Sequence, residues 1–329
     1  MSTNGDKVFK PRRLGHANLW VEDLKRSEAF YHRTCGLTVE FWEPDLVATF
    51  LGTGNTPHDL GMIETTGGKA RYGRNGLLQI PEGIGVSVGL GHLAWELANE
   101  VELVQGYRRA KSMGVPLDIT VDHQVAHSVY LFDPDGNQME YYCDTVKNWR
   151  TVLHGEMELI TSGWDPEEGE PFSEPRFEVN PEIRMVKDAP IHPRRVTHAV
   201  LLTDELEGLA RFYGTVGGLE EVHRDEGVVF LRGSMSNYPY HLVICQRGES
   251  EGRRYHHVSF ELDGEEALAE AEASLRRQGT TPEHVVENEF KRSFFLGDPD
   301  GLLSEYYVRR SPGFPALRKA PPEERALQA

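Results

Sequence analysis

Asp133-Pro134-Asp135-Gly136-Asn137-Gln138-Met139-Glu140-Tyr141-Tyr142 reads as a tight turn that feeds a strand. It returns 165 residues later as Asp298-Pro299-Asp300-Gly301-Leu302-Leu303-Ser304-Glu305-Tyr306-Tyr307. Asp-Pro and Asp-Gly pre-set turn geometry, so the stretch is a hairpin turn signal. The same offset relates His92-Leu93-Ala94-Trp95-Glu96-Leu97 to His257-Val258-Ser259-Phe260-Glu261-Leu262. Upstream the offset changes to 182 residues: Arg13-Leu14-Gly15-His16-Ala17 returns as Arg195-Val196-Thr197-His198-Ala199, Phe30-Tyr31 as Phe212-Tyr213, and Gly36-Leu37 as Gly218-Leu219. The chain is therefore an internal duplication whose first copy carries about 17 extra residues. His58 and His241 stand 183 apart and read as a matching pair, which puts the insertion in the glycine-rich stretch 67–91.

Each copy repeats a smaller rhythm. An alternating strand around His16, Asn18 and Trp20 runs into Asp23, then a helical stretch over Leu24–His32 stops at Gly36. Strands follow near Val47–Leu51 and His58–Glu64. The order restarts with a strand at Gly91–Leu97, a helix over Val101–Met113, and strands near Ser128–Phe132 and Gln138–Tyr142. Each copy reads as two βαβββ units, so the expected class is α+β with four such modules paired into two domains. The expected segments are 1–150, an acidic linker or arm at 151–192, 193–310, and a mobile tail at 311–329.

The wider composition agrees with an ordinary globular chain of 329 residues, 39% hydrophobic and 26% charged. A net charge of −17, from 52 acidic against 35 basic residues, argues against nucleic-acid or anionic-membrane partners. No apolar run approaches the ~20 residues of a membrane span. The N-terminal residues lack the apolar core of a secretion signal. Cys35, Cys143 and Cys245 form no close pair, so a reducing cytoplasm is the expected location. A homo-oligomer is compatible with the sequence and is not specified by it.

Chemistry enters through three positions repeated in register. His16, His92 and Glu140 lie on strands of the first copy, and His198, His257 and Glu305 on strands of the second. Two imidazoles and one carboxylate make a facial triad. It leaves three positions of an octahedral ion open, which suits Fe(II), with Mn(II) as the alternative. Glu140 and Glu305 weigh most, because an acid set between apolar residues of a strand needs a partner. Trp20, Trp95, Phe41 and Trp42 could line an apolar pocket or fill the core.

Three stretches give the sequence a family resemblance: Gly15–Asp23 with Phe30-Tyr31, Gly91–Leu97, and Asp122-His123-Gln124-Val125-Ala126-His127-Ser128-Val129-Tyr130 through Glu140. Across residues 10–150 and 193–310 it resembles a type I extradiol ring-cleaving dioxygenase of the vicinal oxygen chelate superfamily. That resemblance implies two cupped-sheet domains, a catecholic substrate, dioxygen, iron and a place in aromatic catabolism. It further implies an acid–base role for His58, a substrate and oxygen contact for His123, and a hydrogen bond to substrate from Tyr130. Such groups are needed, since a catechol must lose protons to chelate a metal and reduced oxygen must be protonated.

The second copy departs from this pattern. Phe295 stands at the position of Tyr130 and Arg292 at that of His127, while His241 remains as its acid–base candidate and His256 adjoins His257. The fuller constellation is N-terminal, so the first triad is preferred. The second triad, both together, or a mixed set such as His16 with His257 and Glu305 are the alternatives. Two other functions suit the same fold. A glyoxalase-type isomerase or epimerase would need a fourth ligand from His58, Asp59 or Glu64, and an inward Glu64 would favour it. A non-enzymatic small-molecule binder would need no triad.

Overall fold

The computed structural model describes residues 7–158, 161–248, 254–318 and 320–329. The first half runs β1 (Arg13–Val21), α1 (Leu24–Arg33), β2 (Thr38–Glu43), β3 (Ala48–Gly52), β4 (Leu60–Glu64), β5 (Gly89–Glu96), α2 (Glu100–Ser112), β6 (Thr120–Asp122), β7 (Ala126–Phe132) and β8 (Gln138–Asp144). The second half repeats it as β9 (Arg195–Thr203), α3 (Leu206–Thr215), β10 (Glu220–Asp225), β11 (Val228–Arg232), β12 (Leu242–Gln246), β13 (Tyr255–Glu261), α4 (Glu265–Arg277), β14 (His284–Glu287), β15 (Lys291–Gly297) and β16 (Leu303–Arg309). Both sheets share one strand order. It is β2-β3-β4-β1-β5-β8-β7-β6 in the first and β10-β11-β12-β9-β13-β16-β15-β14 in the second. Two βαβββ units thus meet at the central β1–β5 pair, and again at β9–β13. No helix among the described residues is long and apolar enough to cross a membrane.

The two long helices of the first half start where side chains cap them. Asp23 accepts from the Arg26 N–H at the head of α1, and Asn99 accepts from the Glu102 N–H at the head of α2. The halves join through pseudo-symmetric contacts. Tyr213 Oη donates to Asp133 at 3.0 Å, and Tyr31 Oη donates to Asp298 at 3.3 Å, so each repeated Asp-Pro-Asp-Gly turn holds the other half's helix. Gly36 and Gly218 end the paired helices at φ +74, each pressed against a backbone carbonyl of the segment entering the other half, Ile191 and Phe9 respectively. A Cβ at either glycine would collide with that carbonyl. One continuous apolar core runs from Leu14, Leu19 and Trp95 to Val196, Phe260 and Tyr306.

Three segments differ from expectation. The insertion is not only loop: Arg71–Tyr72 and Leu78–Ile80 pair as a short hairpin. The stretch after β8 is an arm that straps the first sheet at both edges, Gly155–Glu156 pairing with Phe41 and Trp42 and Ser162–Gly163 with Val121 and Asp122. Trp164, farther along, stacks on His127 with centroids 4.4 Å apart. The tail at 311–329, expected to be mobile, contains a helix α5 (Pro322–Gln328). It buries Leu317, Ala326 and Ala329 against Val200, Phe230 and Tyr240, apolar side chains of the second half that need covering.

Candidate active site

Three adjacent central strands of the first sheet bring His16 (β1), His92 (β5) and Glu140 (β8) together. His16 Nε2 and His92 Nε2 lie 3.1 and 3.2 Å from Glu140 Oε2, and 3.4 Å from each other. A cation with bonds of ~2.1 Å at right angles needs donor atoms ~3.0 Å apart, so the three atoms fit one face of an octahedral ion. Burial alone would raise the Glu140 carboxyl, but hydrogen bonds and charge from His16 and His92 hold it well below the usual range. Burial lowers His16 below an ordinary imidazole despite Glu140, so it is a neutral, metal-ready donor. Ser128 Oγ donates to Glu140 Oε1 at 2.5 Å and orients the carboxylate.

The triad lies in a cavity of about 160 Å³. His58 lines it just before β4, its ring centroid 3.9 Å from that of His16. Neither ring nitrogen of His58 has a hydrogen-bond partner among the described residues, and burial, then the neighbouring His16, hold it well below an ordinary imidazole. His123 lines the other wall from the β6–β7 turn. Its Nε2 is 3.1 Å from Tyr130 Oη and 3.8 Å from Glu140 Oε1. Phe41, Phe50, Ile63, Val125 and Leu153 make much of the remaining wall apolar, with Asn18, Glu43 and, from the arm, Thr161 also lining it. Of the aromatic candidates only Phe41 lines it. Trp95 packs on Tyr213 between the halves, Trp42 donates to Glu28, and the Trp20 ring lies against Gly85. Glu64 accepts from the Leu24 N–H at the head of α1, so it is not turned toward the triad.

The second triad also assembles, and differently. His198 and His257 Nε2 each stand 3.6 Å from Glu305 Oε2. Lys291 Nζ donates to Glu305 Oε1 at 2.7 Å and to the Ala329 carbonyl at 2.9 Å. The Glu305 carboxyl, which burial would raise, is held well below its usual range by Lys291 and His257. His16 gathers with His92 and not with His257, which removes the mixed set. His241 is a correction. It matches Asp59, not His58, because Ala17 pairs with Leu60 and Ala199 with Leu242. One residue of slip turns a side chain to the opposite face. His241 Nδ1 accepts from the Gly233 N–H and its ring packs on Tyr238, while Tyr240 takes the place of His58, 4.7 Å from the His198 ring.

Two residues of consequence escaped the reading of the sequence. Lys291 stands where the first copy has Ala126, a cavity-lining residue. The 165-residue offset exposes that exchange. Glu43 lines the first cavity from the end of β2, and its signal was a carboxylate two residues after Phe41 on one strand face.

Residues 13–141 match the Glyoxalase/Bleomycin resistance protein/Dioxygenase superfamily, so the first half carries a domain of that kind. The chain is 28% identical over 147 residues to biphenyl-2,3-diol 1,2-dioxygenase 3 of Rhodococcus globerulus, covering 44% of this chain and 71% of that protein. Among solved structures, the 2,3-dioxygenase LapB from Pseudomonas sp. KL28 superposes with a TM-score of 0.64 at 16% identity, over 94% of this chain and 96% of that one. The Mn(II)-bound glyoxalase from Novosphingobium aromaticivorans superposes with a TM-score of 0.64 at 13% identity, over 92% and 83%. At such identities the two structures establish the fold of both halves.

Proposed function

We propose that this chain, whose first half carries a Glyoxalase/Bleomycin resistance protein/Dioxygenase superfamily domain, is a metal-dependent extradiol dioxygenase working from its N-terminal triad. The reading rests on one observation: an open triad whose cavity also holds an unliganded, neutral His58 and a His123–Tyr130 pair. His16, His92 and Glu140 would hold Fe(II) or Mn(II). Such an ion would supply open coordination and one-electron chemistry for a catechol and dioxygen.

The protein's own groups do the rest. His58, with neither ring nitrogen hydrogen-bonded among the described residues, accepts a proton from a catechol hydroxyl as the substrate seats. Tyr130 Oη donates a hydrogen bond to a substrate oxygen. His123, linked to Tyr130, delivers a proton to oxygen derived from dioxygen. Apolar walls and the overlying arm limit water, which strengthens these interactions. An isomerase on this fold would want a fourth ligand, usually a carboxylate, from the β4 strand, and Glu64 is engaged elsewhere. We place the protein in the cytoplasm on its reduced, buried cysteines.

The test is exposure of the Fe(II)-loaded protein to a catechol under isotopically labelled dioxygen. A yellow ring-opened product carrying both labelled atoms supports the proposal. Label-free product, or turnover equal with Zn(II), contradicts it, because zinc has no redox chemistry with oxygen.

A further inference from the structure

Glu43 ends β2 and shares a strand face with Phe41, so both side chains reach the cavity. It is 7% exposed, and its Oε1 has no hydrogen-bond partner among the described residues. The residues lining the cavity include no lysine or arginine. Of the nearby cations, Arg74 is spent on Asp45 at 2.7 Å and Arg71 on the Leu46 and Thr65 carbonyls at 2.6 and 3.1 Å. Burial, then the charge of Asp45, push the Glu43 carboxyl up to about 8. Its charge also opposes ionisation of Tyr130, so the two face the same space. A buried acid without a partner is costly, and a bound ligand is what can complete it.

We infer that Glu43 determines specificity, and that the substrate is a catechol whose ring substituent ends in a protonated amine seated on this carboxylate. The inference rests on the ring-cleavage reading of the site. A carboxylate substituent would meet Glu43 with no cation to receive it. An apolar one would seal Oε1 in without a partner. A hydroxyl would fill the hydrogen bond of the neutral acid and add nothing from charge. An ammonium fills the bond and, by drawing the proton off the carboxyl, adds the charge as well.

Three catechols of similar size test this, bearing an aminoethyl, a propyl or a carboxymethyl chain. Their affinities for the Fe(II)-loaded protein are measured by calorimetry without oxygen, and their turnover is followed in air. The wild type should bind the aminoethyl compound ~10–100-fold more tightly than the propyl one and the carboxymethyl one least, the range for a hydrogen bond to a charged group. Glu43→Leu should erase that preference, and Glu43→Gln should weaken it while keeping the shape. Equal affinities in the wild type, or an unchanged preference in both variants, overturn the inference. Cleavage of none of the three contradicts the ring-cleavage reading, while the order of affinities still decides the role of Glu43.

Discussion

Lys291 Nζ lies 2.7 Å from Glu305 Oε1 in a setting where the equivalent residue of the other half, Ala126, leaves open space. The two copies of the triad are therefore unlike in charge. The first presents a carboxylate and two imidazoles to a cavity, whereas the second has an ammonium already satisfying its carboxylate. His198 and His257 keep Nε2 atoms without hydrogen-bond partners among the described residues, so the second site has donors but no vacancy of charge.

Replacing that lysine should reopen the site. Wild-type protein should bind a single transition-metal ion per chain. Lys291→Met, in the absence of metal, should lose ~3–5 kcal/mol, the usual cost of leaving a buried charge unpaired. Added Mn(II) should restore its thermal stability and bring a second ion per chain. Metal content with melting curves in both conditions checks this, and a variant that stays single-metal would show that the second triad cannot act as a ligand set.

Proton handling in the first cavity separates from metal binding. His58→Phe and His123→Phe should keep their metal and lose turnover by roughly 10²–10⁴, the usual contribution of a positioned acid or base. Tyr130→Phe should cost less, since the ring still packs and only a hydroxyl is lost. Metal content and steady-state rate are read for each variant. Loss of metal from His58→Phe would make His58 a ligand.

Glu43 gives stability a pH signature. Its folded carboxyl titrates at about 8 against an ordinary 4.5, so between those values the folded protein holds more protons than the unfolded chain. Stability carried by the protonated form is complete at the acid end and is lost as pH rises toward 8. Wild type should therefore lose stability relative to Glu43→Gln between pH 5 and 8 by ~3–4 kcal/mol, the scale of about three pH units at ~1.4 kcal/mol each. Chemical denaturation of both proteins across that range checks it, and parallel curves would mean that the carboxyl is solvated.

The duplication, the four βαβββ units and both triads were legible because each leaves a local mark: a repeated turn, a period, a histidine at a fixed offset. Their failures came from features without such marks. His241 was aligned to His58 by residue type, and only strand pairing shows that Tyr240 holds that place. The 311–329 stretch looked too polar to pack, yet three small or apolar residues suffice to cover the second sheet. The arm's straps are backbone pairings made across the sheet edges, which side-chain pattern does not record. Whether a triad is open depends on one residue of a neighbouring strand, and Lys291 against Ala126 becomes visible only when the copies are laid in register.

The central claim is that the N-terminal triad does the chemistry. Its most direct test is the rate of ring-opened product formation from a catechol by Fe(II)-loaded Glu140→Ala, set beside that of the double variant Lys291→Met/Glu305→Gln. The double change removes both charges of the buried pair together and spares the fold. The account predicts that Glu140→Ala loses its metal and nearly all turnover, while the double variant retains most of it. Full activity in Glu140→Ala, with loss in the double variant, would move the active site to the C-terminal half and contradict the account.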